Sequence, residues 1–142
     1  MRVGAGVLAG WLASGAALAQ DPAGQGGGLE AGIVAWEGGR PARAVQLWRP
    51  LAESGDARAQ LYLAYALRTG QGVAADDGRA ARWYREAAAQ GIPEAQYELG
   101  LMYELGLGVP PDPHEAERWY GQAVGQGFCP GELDAGGRLG DR

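Results

Sequence analysis

A repeat of 36 residues is the feature that most constrains the fold of this chain. When residues 59–92 are compared without gaps with residues 95–128, 14 of 34 positions are identical. A period between about 20 and 50 residues is typical of a solenoid, in which similar units stack on one another. The repeat framework is formed by two glycines and an aromatic pair in each copy: Gly70, Gly72, Trp83 and Tyr84, and then Gly106, Gly108, Trp119 and Tyr120.

Each repeat is predicted to contain two helices. In the second helix, Ala80, Trp83, Tyr84 and Ala87 are spaced at i, i+3, i+4 and i+7, which gives one apolar stripe. The first helix, at 57–69 and again at 93–105, is apolar on two sides, as expected for a helix that lies between neighbours. The sequence therefore predicts an all-α fold, an αα-hairpin solenoid of about 2.5 repeats.

Aspartates and glycines mark the predicted ends of these helices. Asp76 and Asp112 are suited to cap the starts of the second helices, and Gly91 and Gly127 are suited to end them. The predicted segments are a linker at 20–28, an N-terminal αα-hairpin at 29–55, two repeats at 56–92 and 93–128, and a flexible or capping tail at 129–142. The N-terminal hairpin, with helices at 29–38 and 41–54, is predicted to be a shorter relative of the repeats.

Residues 1–19 have the pattern of a secretory signal peptide. Arg2 precedes an apolar stretch at 7–18, and Ala17-Leu18-Ala19 provides a small-x-small cleavage site. An uncleaved anchor is the alternative, but the stretch is shorter than the roughly 20 apolar residues of a spanning helix. We therefore expect cleavage after Ala19, a periplasmic or secreted protein, and no stable membrane anchor.

The composition excludes several kinds of chemistry. The chain has no Lys and no Asn, and its only His and Cys are His114 and Cys129. A Schiff-base lysine, a Walker lysine and a four-ligand zinc site are therefore impossible within the chain. The net charge of −5 does not favour binding to nucleic acid. We predict no catalytic, cofactor-binding or metal-binding residue, and Cys129 is either a small packed residue or half of an intermolecular disulfide.

Three motifs in a fixed register resemble the Sel-one-like repeat family, a relative of the tetratricopeptide repeats. They are Ala-Gln-x-x-Leu-(Gly/Ala), Gly-x-Gly-Val-x-x-Asp and Ala-x-Arg-Trp-Tyr-x-x-Ala, and they cover residues 55–128. The resemblance implies right-handed superhelical hairpins that act as adaptors and protein-binding scaffolds, with exported bacterial members among them. Some secreted members carry a cysteine pair in each repeat, and this chain lacks those cysteines.

The surface that binds a partner is predicted from the first-helix positions that differ between the repeats. In a solenoid, the residues outside the repeated pattern line the concave surface, and Tyr and Arg are common interface anchors. The predicted residues are Tyr62, Tyr65, Arg68, Glu98, Leu101 and Glu104. The two Trp-Tyr pairs are expected to pack in the core rather than to form aromatic platforms for a ligand. Arg82 is expected to form a surface ion pair with Glu86.

We therefore expect an exported, non-catalytic scaffold that binds a protein or peptide. One alternative is a regulator that binds the outer domain of a membrane sensor. Another is a weak hydrolase of β-lactam or cell-wall substrates, which the resemblance suggests because some cysteine-rich relatives have been assigned such activity. Solenoids need about three repeats for stability, so we also expect either marginal stability or self-association through an uncapped end.

Overall fold

The structure, a computed structural model, describes residues 25–128, and in that range it contains six α-helices and no β-strand. Each helix has 13 residues. The helices are α1 (Gln25–Glu37), α2 (Pro41–Glu53), α3 (Ala57–Thr69), α4 (Asp77–Ala89), α5 (Pro93–Leu105) and α6 (Pro113–Gly125). Consecutive helices pack on one another, first within the hairpins α1–α2, α3–α4 and α5–α6, and then between hairpins through α2–α3 and α4–α5. The predicted hairpin solenoid is confirmed.

Aspartate side chains cap the N-termini of three helices. Asp56 accepts a hydrogen bond from the backbone N–H of Ala59 at 3.0 Å, and Asp76 accepts one from Arg79 at 3.0 Å. Asp112 accepts hydrogen bonds from the N–H groups of the second and third residues of α6. These contacts satisfy N–H groups that have no partner inside the helix. Asp76 and Asp112 are therefore the caps that the sequence predicts.

The glycine loops fix how each hairpin meets the preceding one. Gly72 and Gly108 have φ angles of +79° and +73°, in the left-handed region that favours glycine. A Cβ atom at Gly72 would lie 2.5 Å from the carbonyl oxygen of Pro41, at the start of α2. One at Gly108 would overlap the carbonyl of Asp77, at the start of α4. Each loop therefore lies directly against the first turn of the preceding second helix.

The N-terminal hairpin differs from the predicted one at its start and in its length. Helix α1 begins at Gln25, so residues 25–28 of the predicted linker are helical, and its helices are as long as those of the repeats. A Cβ atom at Gly32 would overlap the indole of Trp48, so this glycine lets α1 approach α2 closely. Packing of this kind outweighs the low helix propensity of glycine. The predicted signal peptide at 1–19 and the predicted tail at 129–142 lie outside the described residues.

Aromatic rings join the N-terminal hairpin to the first repeat. The ring centroid of Trp48 lies 5.6 Å from that of Trp36 and 5.0 Å from that of Tyr62. Trp36 also makes an edge contact with Tyr65, with a centroid separation of 6.0 Å. The indole N–H of Trp48 donates to the carbonyl oxygen of Leu29 at 3.2 Å. The core is therefore continuous from α1 into α3.

Glutamine side chains make the same contacts within each repeat and to the hairpin before it. Gln60 donates to the carbonyl oxygen of Ala52 at 3.1 Å, and Gln90 donates to the amide oxygen of Gln60 at 2.9 Å. In the next repeat, Gln96 donates to the carbonyl oxygen of Ala88, and Gln126 donates to Gln96. These contacts satisfy backbone carbonyl groups near the ends of α2 and α4. They give a physical reason for two of the identities between the repeats.

Candidate protein-interaction surfaces

Two of the six residues predicted to bind a partner lie in the core. Tyr62 is 0% exposed and Tyr65 is 4% exposed, and their rings pack against Trp48 and Trp36. The prediction that they line an open surface is wrong. Helix α3 packs on α2 and on α4, so the side that carries the residues that differ between the repeats is covered as well as the side that carries the repeated pattern. These tyrosines hold the N-terminal hairpin against the first repeat.

Two more of the predicted residues form an ion pair between the repeats. A guanidinium nitrogen of Arg68 on α3 lies 3.1 Å from a carboxylate oxygen of Glu98 on α5. The guanidinium also lies 5.8 Å from the ring centroid of Tyr65. Glu98 and Tyr84 are buried, and the side chain of Arg68 is 23% exposed. Tyr84 on α4 interacts with the charges of both Arg68 and Glu98. Arg68, Tyr84 and Glu98, here called the inter-repeat cluster, therefore join α3, α4 and α5 rather than forming a free binding surface.

Burial controls the protonation of this cluster. Burial raises the pKa of Glu98 above its usual value, and the positive charge of Arg68 offsets part of that rise. Burial also raises the pKa of Tyr84 well above its usual value. A buried carboxylate is stabilised by its counter-charge. Loss of that charge leaves an unpaired charge in the interior, which destabilises the folded state.

The raised pKa of Glu98 predicts a specific pH dependence of stability. A carboxyl whose pKa is higher in the folded state holds its proton more tightly when folded. Its contribution to stability is complete below the unfolded pKa and is lost as the pH rises through the folded pKa. Wild type should therefore lose stability relative to Glu98→Gln, which does not titrate, as the pH rises from about 4 towards neutral. Urea titrations at several pH values measure it, and a constant difference would contradict the expectation.

A groove on α4 leaves an aromatic face accessible between charged side chains. It is lined by Arg79, Arg82, Trp83 and Glu86, which are spaced by one helical turn, and it has a volume of about 160 Å³. Trp83 is half-buried: it packs against the core and also lines the groove. The predicted ion pair between Arg82 and Glu86 is not formed, and neither arginine has an ion-pair partner within residues 25–128. We call these four residues the α4 groove.

At the equivalent position of the second repeat, an arginine lies over the tryptophan and pairs with a glutamate. Arg118 lies 2.8 Å from Glu115 and 5.2 Å from the ring centroid of Trp119. Glu115 stands where the first repeat has Arg79, so Arg118 has an acidic partner one turn earlier in the helix and Arg82 does not. That difference was visible in the sequence. It could be interpreted only once the structure showed that the side chains at these two positions reach the tryptophan.

The remaining predicted residues lie in the last repeat. Leu101 is half-buried and Glu104 is exposed. The hydroxyl of Tyr120 donates to a carboxylate oxygen of Glu104 at 2.5 Å. Burial, followed by this hydrogen bond, raises the pKa of Tyr120. A second groove of about 300 Å³ is lined by Glu104, Pro113, His114, Ala116, Glu117 and Tyr120.

The histidine and the serine that could pair as base and nucleophile lie on different hairpins. His114 lies exposed in the first turn of α6, while Ser54 follows α2 and donates its hydroxyl to the carbonyl oxygen of Leu51 at 2.9 Å. Within residues 25–128 no three His, Cys, Asp or Glu side chains are grouped so that they could hold a metal ion. Over the same range no helix is long and apolar enough to cross a bilayer.

The comparisons with known proteins agree with this architecture. The crystal structure of c5321, a protective antigen of uropathogenic Escherichia coli strains with an SLR fold, is similar to 74% of this chain, with 34% identity and a TM-score of 0.70. This chain covers 23% of that antigen. A Sel1 repeat protein from Oxalobacter formigenes is similar over 72% of this chain and 82% of its own length, with 32% identity and a TM-score of 0.69. No curated protein matches the chain.

The family assignment rests on the sequence match and the fold together. The Sel1 repeat model matches residues 57–92 and 93–128, which are the two hairpins α3–α4 and α5–α6 together with the short connections that follow them. Both solved relatives have the same repeat architecture. The chain therefore belongs to the Sel1 repeat family.

Proposed function

We propose that this protein is an exported, non-catalytic scaffold that binds a protein partner through the α4 groove. Sel1 repeats generally mediate protein–protein interactions and are generally non-catalytic. The observation that carries the proposal is the accessible face of Trp83 between Arg79 and Arg82. Trp and Arg are the residue types that most often dominate the energy of protein interfaces.

The groove favours a partner that presents an acidic group beside an apolar side chain. An apolar or aromatic side chain would cover Trp83, and a neighbouring carboxylate would pair with one of the two arginines in bidentate geometry. Glu86 at the same groove would repel a second carboxylate and so fix the orientation of the partner. The outer domain of a membrane sensor is one partner that could carry such a segment.

Export is supported by the N-terminal sequence. The apolar stretch at 7–18 and the cleavage pattern that ends at Ala19 are those of a signal peptide. The test is to fractionate cells that produce the tagged full chain and to determine the N-terminal residue of the exported form. A mature protein that begins at Gln20 in the exported fraction is expected. Retention of the full-length chain in the cytoplasm would contradict export.

The binding proposal is tested by capture with groove variants. Wild type, Arg82→Glu and Trp83→Ala are produced with a tag in the native host, crosslinked in the exported compartment and compared by quantitative mass spectrometry. A partner captured by wild type should fall about tenfold with each variant. Arg43→Glu is the matched control, because Arg43 is an exposed arginine at the position equivalent to Arg79 in the N-terminal hairpin. Wild-type capture by both folded groove variants would contradict the proposal.

A further inference from the structure

The last repeat ends in an apolar face that is uncovered within residues 25–128. The face is formed by two residues of α5, one of α6, and Phe128, which follows α6 and packs on Tyr97. Its residues are Tyr97, Leu101, Val124 and Phe128. We call it the C-terminal face. Val124 is 56% exposed, whereas Ala88, 36 residues earlier, is 1% exposed. Tyr97 is half-buried, whereas its counterpart Leu61 is fully buried. The exposed positions are therefore those that a further stacked helix would cover.

The charge of this end is the reverse of that in the preceding repeat. Where the first repeat has Arg68 beside Tyr84, the second has Glu104 beside Tyr120. In the first repeat, Glu98 from the next helix neutralises the arginine. At the end of the array, the carboxylate of Glu104 is exposed, and Glu117 lines the same groove. Across residues 93–128 there are six carboxylates and a single arginine.

We propose that the C-terminal face docks an amphipathic helix of a partner protein that carries an arginine or lysine where α5 carries Glu98. The cation contacts Glu104 beside Tyr120, and apolar residues of the same helix cover Val124 and Phe128. The contact is the inter-repeat cluster with its charges exchanged. The inference rests on the proposed scaffold function, and it assigns a second surface and the chemistry of its partner.

Charge argues against the two occupants that this chain itself could supply. A second copy that stacked head to tail would present α1, which carries Glu30 and Glu37 and no basic residue. A second C-terminal face would bring its own exposed Glu104 and Glu117. The chain's own tail, placed in the repeat register, would bring Asp134 to the position of Glu98. All three arrangements put negative charge against Glu104, which is unfavourable.

The test uses the full mature chain and two helix-stapled peptides of sequence 93–105. One peptide keeps Glu98 and the other carries Glu98→Arg, so the pair differs only at the position that faces Glu104. The Glu98→Arg peptide should bind about tenfold more tightly in fluorescence anisotropy. Glu104→Arg in the chain should reverse the preference, and the milder Glu104→Gln should abolish it. Glu53→Gln, at an exposed carboxylate of α2, should leave it unchanged.

Several outcomes would overturn the inference. They are equal binding of the two peptides, a preference that persists in Glu104→Gln, tight binding of a scrambled cationic peptide, and a stable dimer without peptide in sedimentation velocity. Circular dichroism confirms that each variant is folded. The peptide assay does not depend on export or on the α4 groove, so its failure leaves the proposed function standing. Loss of the scaffold function would be recognised separately, by unchanged capture with the α4 groove variants.

Discussion

Replacing Gly108 with alanine should lower the free energy of unfolding by about 4 kcal/mol. The residue has a φ of +73°, which an L side chain adopts only with strain. Its added Cβ atom would also overlap the backbone carbonyl of Asp77, which belongs to the first turn of α4 and cannot move without shifting that helix. Strain and overlap therefore act together, and urea denaturation followed by circular dichroism measures their sum.

Gly91→Ala is the matched control for this experiment. Gly91 also has a positive φ, of +95°, but an added Cβ atom would meet no atom within 4 Å. Its replacement should cost only the backbone strain, about 1 kcal/mol. Equal losses in the two variants would show that the loop does not lie against α4 in solution.

Trp48→Ala should lower the free energy of unfolding by about 4 kcal/mol. The side chain is fully buried and contacts the rings of Trp36 and Tyr62. Its removal leaves a cavity between α1, α2 and α3, and the carbonyl oxygen of Leu29 loses a hydrogen bond. Because these contacts join the N-terminal hairpin to the repeats, amide hydrogens of α1 and α2 should lose most of their protection from exchange.

Trp83→Ala provides the comparison for the loss at Trp48. Trp83 is half-buried and lines the α4 groove, so its removal leaves a smaller cavity that water can enter. We expect a cost of about 1.5 kcal/mol. A loss as large as that of Trp48→Ala would mean that Trp83 is mainly a core residue. Its effect on capture would then have to be attributed to unfolding.

Much of the fold could be predicted from the sequence because its signals are local. The bounds of α3 and α5 are those predicted, at 57–69 and 93–105. Each helix has an apolar pattern, a start signal and a glycine at its end, so neighbouring residues determine it. The start of α1 was missed because its glycines resemble a linker. Gly28 lies against Leu51 of α2, where an added Cβ atom would be 3.3 Å from a methyl carbon, so this segment is held by contact with the next helix.

The candidate binding surface could be predicted only in part, because exposure depends on neighbouring hairpins. Tyr62 and Tyr65 have the composition of an interface, and only the packing of α1 and α2 shows that they are enclosed. The pair of Arg68 and Glu98 spans 30 residues, a distance at which no local pattern predicts a contact. The α4 groove was missed for a different reason. Its arginine and glutamate have the spacing of an ordinary surface ion pair.

The glutamine contacts have a consequence for how such a chain can grow. In each repeat, a glutamine near the start of the hairpin donates to a carbonyl oxygen at the end of the preceding hairpin and accepts from a glutamine at the end of its own hairpin, and these contacts recur one repeat later. A duplication of 36 residues would supply the next donor and acceptor together. An insertion near residues 89–92 would separate them, whereas the loop inside a hairpin already varies, from three residues after α1 to seven after α3. Gene duplication in whole units is therefore the route by which this solenoid can lengthen without losing the contacts between its hairpins.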